Sequence, residues 1–229
     1  MNRKLMILAA VVASLAMISI PLVETAFGGE GSSGESTEPL KITQQPITDD
    51  NGYAFDLYSD MTAVIIASPE NMSGSITIPG SVSYATDGES EKEYTVTKLG
   101  NSSFSSQKSI TEVTIPKTVE EILGIGLYEY YSGDVEDGAF NKCTELRTVE
   151  LEEGSVLETI GACAFYGNES LSSIDLSGVS VIGDFAFYGC TSLGEVVFAD
   201  YVEIGSMDAG FSFANTGVWN VHIKGGIIS

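Results

Sequence analysis

Few residues in this chain have the type and spacing that catalysis requires. The single histidine, His222, lies in a segment that alternates polar and apolar residues, and Glu150 and Asp175 hold the corresponding place in two earlier segments. Two neighbouring carboxylates can act as the acid and base of a glycosidase. Parallel strands also bring unrelated carboxylates together, and no Ser-His-Asp pairing, Cys-His pairing or Gly-rich phosphate loop can be assembled. The sequence therefore predicts a protein that is not an enzyme and holds no cofactor.

The elements that would position these residues are internal repeats. Residues 161–176 read GACAFYGNESLSSIDL, and residues 183–198 read GDFAFYGCTSLGEVVF. Each copy has Ala-Phe, a short turn, a leucine and an apolar-x-apolar pair, and periodicity of this size indicates stacked repeats. One repeat offers a handful of apolar side chains worth about 1.5–3 kcal/mol each when buried. Ordering its backbone costs about 1–2 kcal/mol per residue. Neighbouring repeats must therefore cover each other for the array to be stable.

Four sets of apolar anchors recur and fix the register of the array. The aromatic anchors are Phe104, Phe140, Phe165, Phe187 and Phe213. The branched anchors are Ile110, Leu146, Leu171, Leu193 and Val218. The strand pairs are Val113/Ile115, Val149/Leu151, Ile174/Leu176, Val196/Phe198 and Val221/Ile223. The closing anchors are Leu99, Ile122, Ile160, Ile182 and Ile204. Alternation predicts a short β-strand at each pair, and the stretch around each Ala-Phe predicts a turn or a single helical turn.

This pattern resembles the BspA type of leucine-rich repeat, which occurs in many microbial surface proteins. Residues 143–146 and 190–193 carry its Cys-Thr-x-Leu step, 216–218 carry a shorter Thr-Gly-Val variant, and 115–119 read Ile-Pro-Lys-Thr-Val. The resemblance covers roughly residues 74–223, and it departs from the family in a long insertion after the second closing anchor and in the small number of repeats. It implies a mostly β fold with short helical turns, a leucine-rich-repeat solenoid of the right-handed β-α superhelix type. About five repeats and an N-terminal β cap are expected.

The N-terminus has the features of an export signal. Arg3 and Lys4 precede an apolar run over residues 5–20, and Ala-Phe-Gly at 26–28 is a small-x-small cleavage site. Residues 1–28 are therefore predicted to be a secretory signal peptide, with an uncleaved N-terminal anchor as the alternative. The protein is expected to be secreted or to lie on the cell surface.

Three further segments follow the predicted signal peptide. Residues 29–46 are predicted to form a flexible linker rich in Gly, Ser and Glu. Residues 47–95 are predicted to form the N-terminal β cap and a half-repeat. Residues 96–229 hold the repeats, with the insertion at 123–136.

The charge of the chain restricts its partners. Its 32 acidic and 10 basic residues give a net charge of −22. Nucleic acid and anionic membranes require basic surfaces, so neither is expected as a partner. Extracellular proteins or surface polysaccharides remain as candidates, and the alternative is that the charge serves solubility alone.

The three cysteines are predicted to be buried free thiols. Cys143 and Cys190 hold the same place two repeats apart, which corresponds to roughly 9–10 Å at strand spacing. A disulfide requires Cα atoms within about 7 Å. Asn168 occupies the same place in the repeat between them. Cys163 lies two residues before an aromatic anchor and is also expected to fill the core.

The outward face of the strands is the first candidate for binding. Its predicted columns are Glu112, Thr148, Ser173, Glu195, Asn220 and Thr114, Glu150, Asp175, Val197, His222. Hydroxyls and carboxylates there suit a protein or sugar ligand, and an ordinary solvated sheet face is the alternative. Trp219 precedes the last strand and suits an interface hot spot; equally, it could cover the end of the core.

The insertion is the second candidate. It brings Tyr128, Tyr130 and Tyr131 close together. Insertions in repeat arrays go to loops on one face, often the binding face, and clustered tyrosines give a large contact area at low entropy cost. The alternative is that these tyrosines pack on the flank of the array.

Three Asn-x-Ser triplets are possible glycosylation sites on an exported chain, at Asn71, Asn101 and Asn168. The resemblance to the BspA type implies adhesion through many weak contacts along one face. The alternative is a structural protein of the cell envelope that associates with itself through the C-terminal end of the array.

Overall fold

The computed structural model describes residues 38–85, 88–124, 138–205 and 211–223. The predicted signal peptide and the first part of the predicted linker lie outside these ranges. So do Tyr128, Tyr130 and Tyr131 of the insertion.

The described chain is built from short β-strands joined by turns. The strands are β1 (Ile47–Thr48), β2 (Ala54–Leu57), β3 (Thr62–Ala67), β4 (Ser73–Thr77), β5 (Ser81–Tyr84), β6 (Lys92–Leu99), β7 (Ser109–Ile115), β8 (Glu121–Ile122), β9 (Thr148–Leu151), β10 (Thr159–Ile160), β11 (Ser173–Ile174), β12 (Val181–Ile182), β13 (Glu195–Phe198), β14 (Glu203–Ile204) and β15 (Asn220–Ile223). Each repeat supplies one strand that carries an apolar pair, such as Val113/Ile115 in β7, and one short closing strand that carries the closing anchor. We call one such repeat a coil.

Two parallel ladders run along the stack of coils. The closing strands β6, β8, β10, β12 and β14 pair in that order within one sheet. The strands that carry the apolar pairs form the second ladder. In it, β4, β7, β9 and β11 are neighbours in that order, and β13 pairs with β15. Between β11 and β13 the pairing is reduced to a single bridge, from Leu176 to Phe198. The core lies between the two ladders.

Antiparallel strands cover the first coil. β2 pairs antiparallel with β1 on one side and with β3 on the other, and β3 then pairs in parallel with β6. Phe55 and Leu57 of β2 are fully buried. The Tyr53 ring lies 6.2 Å from the ring of Phe104 in the first coil. These strands therefore cover the apolar surface that the first coil presents, as the end of a solenoid requires.

A column of phenylalanine rings forms the centre of the core. The ring centroids of Phe104 and Phe140 are 4.9 Å apart, and the next separations are 5.2 Å to Phe165, 5.3 Å to Phe187 and 5.0 Å to Phe213. The interplanar angles are between 4° and 17°, so the rings are stacked. The recurring aromatic anchors predict that each coil places one ring in the core. The stacked column confirms this prediction.

The stretches around the aromatic anchors are turns, and the described residues contain no helix. Two residues per turn adopt left-handed backbone conformations. The residue two before the anchor has a φ of +57° at both Cys163 and Phe185, and the residue two after has +70° at Gly167 and +76° at Gly189. Left-handed residues interrupt a right-handed helix. The predicted helical turns are therefore not seen, and the structure does not confirm the β-α superhelix.

The cysteines are free and buried, as predicted. The thiol of Cys143 donates to the carbonyl oxygen of Phe104 at 3.1 Å, and that of Cys190 donates to Phe165 at 3.2 Å. In the coil between them, Nδ2 of Asn168 donates to the carbonyl oxygen of Phe140 at 2.9 Å. One donor per coil thus satisfies the carbonyl group of the preceding aromatic anchor.

Cys163 does not join the main core. It packs with Phe185, Tyr166 and Tyr188 in a separate cluster on the turn side of the stack. Burial raises the pKa of the Cys163 thiol to about 11. Burial also raises the pKa of the other two thiols to about 12. A thiolate nucleophile is therefore not available at neutral pH.

Within the described ranges, no helix is long and apolar enough to cross a membrane. The same residues bring no group of three or more His, Cys, Asp or Glu side chains together in a way that could hold a metal ion.

Candidate functional site

The outward face of the second ladder carries the predicted columns. Glu112 pairs with Thr148, which pairs with Ser173, and Glu195 pairs with Asn220. In the other column, Thr114 pairs with Glu150 and Val197 pairs with His222. The inward members of each strand, Val113, Val149, Ile174 and Val196, are buried. These registers confirm the pairs named above, Asp175 follows β11 outside them, and we call the surface of the two columns the outward face.

The structure also reveals a third column that sequence reasoning missed. It lies directly before the other two and consists of Thr111, Arg147, Ser172, Gly194 and Trp219. Backbone hydrogen bonds tie its coils together: Arg147 N donates to Thr111 O, Ser172 N to Arg147 O, and Trp219 N to Gly194 O, each at 2.9 Å. Two successive outward residues separate each branched anchor from its strand pair, so simple alternation does not extend to this column.

An open depression of about 960 Å³ lies on the outward face. It spans β9, β11 and β13, where strand pairing is weakest. Its polar lining consists of hydroxyl and carboxylate side chains and includes Thr148, Glu150, Ser172, Ser173, Asp175 and Glu195. Its apolar lining includes Val197, the one member of its column that is not polar or charged. The depression can therefore offer hydrogen-bond acceptors and donors to a ligand that lies along the face.

The predicted carboxylates converge on this depression. Glu150, Asp175 and Glu195 all line it and are all exposed. A carboxylate oxygen of Asp175 accepts a hydrogen bond from the backbone N–H of Ser177 at 2.8 Å, which holds that side chain against its own turn. The depression therefore presents three carboxylates to solvent.

Trp219 lies at the edge of the outward face and is 77% exposed. It does not cover the end of the core. Its indole occupies the space where a side chain at position 194 would lie, because a Cβ added to Gly194 would be 2.7 Å from Nε1 of Trp219. Gly194 is thus the residue that permits this position of the indole.

None of the remaining predicted residues that the structure describes is among those that line this depression. The backbone of His222 lies in β15 beside Val197. The three tyrosines of the insertion lie outside the described residues. Asn71 and Asn101 are exposed, as a glycan acceptor must be. Asn168 is fully buried and donates its amide to a backbone carbonyl, so the prediction of a glycosylation site there is wrong.

A second cavity, of about 480 Å³, was not predicted. It lies beside β3 and β6 and is lined by Tyr58, Lys98 and Glu120, among others. Nζ of Lys98 is 2.6 Å from Oε1 of Glu121, and this hydrogen bond raises the pKa of Lys98. The lysine of the cavity is therefore already engaged by a carboxylate of the same sheet.

Solved structures of several bacterial proteins have the same fold. A leucine rich cell surface protein from Faecalibacterium prausnitzii A2-165 is 27% identical, with a TM-score of 0.61, and the match covers 80% of this chain and 43% of that one. The T. pallidum leucine rich repeat protein is 26% identical, with a TM-score of 0.55, and the match covers 76% of this chain and 70% of that one. The pneumococcal vaccine antigen PcpA is 20% identical, with a TM-score of 0.56 and coverage of 78% and 46%, and it shows the fold alone. The chain thus spans less than half the length of the first of these proteins.

A comparison with curated proteins gives no match. The sequence model of the BspA type leucine rich repeat region, by contrast, matches residues 97–229 in six copies. Spacing of the aromatic anchors predicts about five repeats, so the two counts differ by one. The match covers more than half of the chain and includes the depression and every ladder strand from β7 to β15. The chain therefore belongs to the BspA type leucine rich repeat family.

Proposed function

We propose that the protein mediates adhesion outside the cell by binding proteins or glycans through its outward face. The observation that carries this proposal is the open depression, in which three carboxylates and several hydroxyls from successive coils are exposed side by side. A solenoid presents such groups on a long continuous surface, so many weak contacts add along one ligand.

The proposal includes export to the cell surface or the medium. Its support is the basic start and apolar run of residues 1–28 and the family to which the repeats belong. The proposal also keeps the right-handed winding of about five coils, which is the hand that parallel crossover connections adopt.

The proposal is binding and not catalysis. Glu150 and Asp175 line an open depression and are both exposed to solvent. A glycosidase needs one carboxyl group whose pKa is raised by an apolar environment. Both side chains are open to solvent, which favours a role in binding.

A second candidate function is self-association in the cell envelope. In the last described coil, Tyr201, Ile204, Phe211 and Val221 are exposed large apolar residues. Ile204 and Val221 continue columns whose earlier members are buried by the next coil. This surface has the composition that another coil would cover, and a second copy of the chain could provide one.

Binding of the full chain to an array of matrix proteins and polysaccharides tests the proposal. The face variant replaces Glu150, Asp175 and Glu195 by alanine, and the matched control replaces three exposed carboxylates outside the depression, at Glu153, Asp200 and Glu203. Both variants change the net charge by the same amount. Binding that is lost in the face variant and kept in the control supports the outward face.

A third variant lacks residues 125–137 and tests the tyrosine-rich insertion. Loss of binding in this variant alone would move the site from the outward face to the insertion. Absence of binding to every array member, together with association that increases with concentration in sedimentation velocity, would replace adhesion by the second candidate function.

A further inference from the structure

We propose that Trp219 is a stacking platform for a pyranose ring, so that the ligand of the outward face is a glycan of neutral sugars or amino sugars. This inference rests on the proposed function, because the platform borders the same face. It goes further in naming the chemical class of the ligand and the residue that recognises it.

The position of the indole is built into the last coils. Trp219 N donates to Gly194 O at 2.9 Å, which fixes the backbone of the tryptophan against the preceding coil. The pyrrole edge of the indole lies over Gly194, and a Cβ at that position would be 2.7 Å from Nε1 and 3.4 Å from Cδ1. The ring is therefore held at one edge while 77% of the residue remains exposed. Leaving a large aromatic ring in water is unfavourable unless a ligand covers it.

The groups beside the platform are those that bind sugar hydroxyls. Ser172 lies one coil before Gly194 in the same column, and Glu195 follows Gly194 directly. Both line the depression, together with Ser173 of the next column. A pyranose ring has an apolar face of C–H groups and a rim of hydroxyls. The indole matches the first by stacking, and the serines and the carboxylate match the second by hydrogen bonds, which are stronger when one partner is charged.

The surroundings favour a glycan over a protein ligand. A protein hot spot is a side chain that enters a desolvated pocket surrounded by drier contacts. Trp219 is instead 77% exposed, and its indole lies beside Gly194, next to the lining residue Glu195. The charge favours a neutral or cationic sugar, because Glu150, Asp175 and Glu195 and the net charge of −22 repel uronic or sulfated sugars.

Trp219 is the only tryptophan of the chain, so its fluorescence reports on this position alone. The full chain is titrated with a neutral cello-oligosaccharide, a glucosamine oligomer and an anionic hyaluronan fragment. We expect a saturable change in tryptophan emission, and protection from acrylamide quenching, with the first two and no change with the third.

Isothermal titration of variants then assigns the contact. Trp219→Ala should weaken binding about tenfold, the effect of losing one aromatic stacking contact, and Trp219→Phe should recover part of it. Gly194→Ala keeps the tryptophan but displaces the indole and should also weaken binding. Leu40→Ala removes another large apolar side chain with 74% exposure, far from the outward face in the chain, and should leave binding unchanged. Circular dichroism confirms that each variant is folded.

The outcomes separate this inference from the proposed function. Protein ligands that bind the face while no glycan changes the emission would overturn the inference and leave the proposed function standing. Glycan binding that is unaffected by both Trp219→Ala and Trp219→Phe would also overturn it, as would equal binding of the anionic fragment. If neither proteins nor glycans bind, both fail together.

Discussion

Replacing Asn168 by cysteine should make the protein more stable. Asn168 is fully buried in a column where the neighbouring coils have Cys143 and Cys190. Its Nδ2 donates to Phe140 O at 2.9 Å, but its Oδ1 has no hydrogen-bond donor among the described residues. A thiol would still donate to Phe140 O, as the neighbouring thiols do to their own carbonyl groups, and would remove the unpaired oxygen.

The expected gain follows from two opposing contributions. An unpaired buried carbonyl oxygen costs about 1–3 kcal/mol, and a thiol hydrogen bond is weaker than an amide one by a fraction of that. Asn168→Cys should therefore raise the free energy of unfolding by about 1 kcal/mol. Asn168→Ala loses the hydrogen bond and leaves a cavity, and should lower it by about 1–2 kcal/mol.

Urea unfolding followed by circular dichroism measures both variants against the original chain. A reductant must be present throughout, because a thiol at position 168 would lie about one strand spacing, roughly 4.8 Å, from each neighbouring cysteine, within disulfide range. The order of stability should be Cys, then Asn, then Ala. If Asn168→Cys is no more stable than Asn168→Ala, the amide oxygen is satisfied and the positions of the donor column are not interchangeable.

Three further predictions concern the backbone and the thiols. Gly183→Ala should cost about 1–3 kcal/mol in urea unfolding, because its Cβ would be 2.4 Å from Ala162 N. Gly178→Ala meets nothing closer than 3.6 Å, and an equal loss there would contradict this account. Ser106→Gly should raise the free energy of unfolding by about 0.5–1 kcal/mol, and with it the midpoint of thermal unfolding, because φ is +60° at that exposed residue. The control Ser109→Gly lies in a strand and should lower the midpoint. The folded protein should not react with Ellman's reagent at pH 8, because burial raises the pKa of all three thiols to about 11 or 12, and rapid labelling of the native chain would refute this. The three thiols in this prediction are those of Cys143, Cys163 and Cys190, all of which are buried.

The repeat pattern predicts the core and the register of the strands well. Anchors such as Phe165 and Leu171 recur because each coil repeats the same contacts with its neighbours, so their spacing determines which residues stack. The same reasoning predicts that Cys143 and Cys190 are too far apart for a disulfide, and both are free. Local patterns carry this information because nearly every core contact joins adjacent coils.

Other features depend on conformations that a pattern of residue types does not encode. The Ala-Phe stretches form turns because residues such as Phe185 adopt positive φ. A bulky residue such as phenylalanine gives no sequence signal for that conformation. The column of Trp219 was missed because strict alternation predicts one outward residue between each branched anchor and the next inward residue. The chain has two residues there. The exposure of Trp219 itself depends on Gly194, a contact between coils that spacing alone does not reveal.

The uniform register of the coils has a consequence for how such a chain can change its length. The segments 161–182 and 183–204 are successive units of equal length, and each begins with a glycine that packs on the coil before it. Deleting one unit would bring Gly183 against Ile122 and Leu123, in the same way that Gly161 meets them now. Duplication or loss of such a unit in the gene would therefore preserve the glycine contacts between adjacent coils. It would add or remove one residue in each column of the outward face. Reach along a ligand can thus change by whole coils, and each change adds or removes one interface between coils.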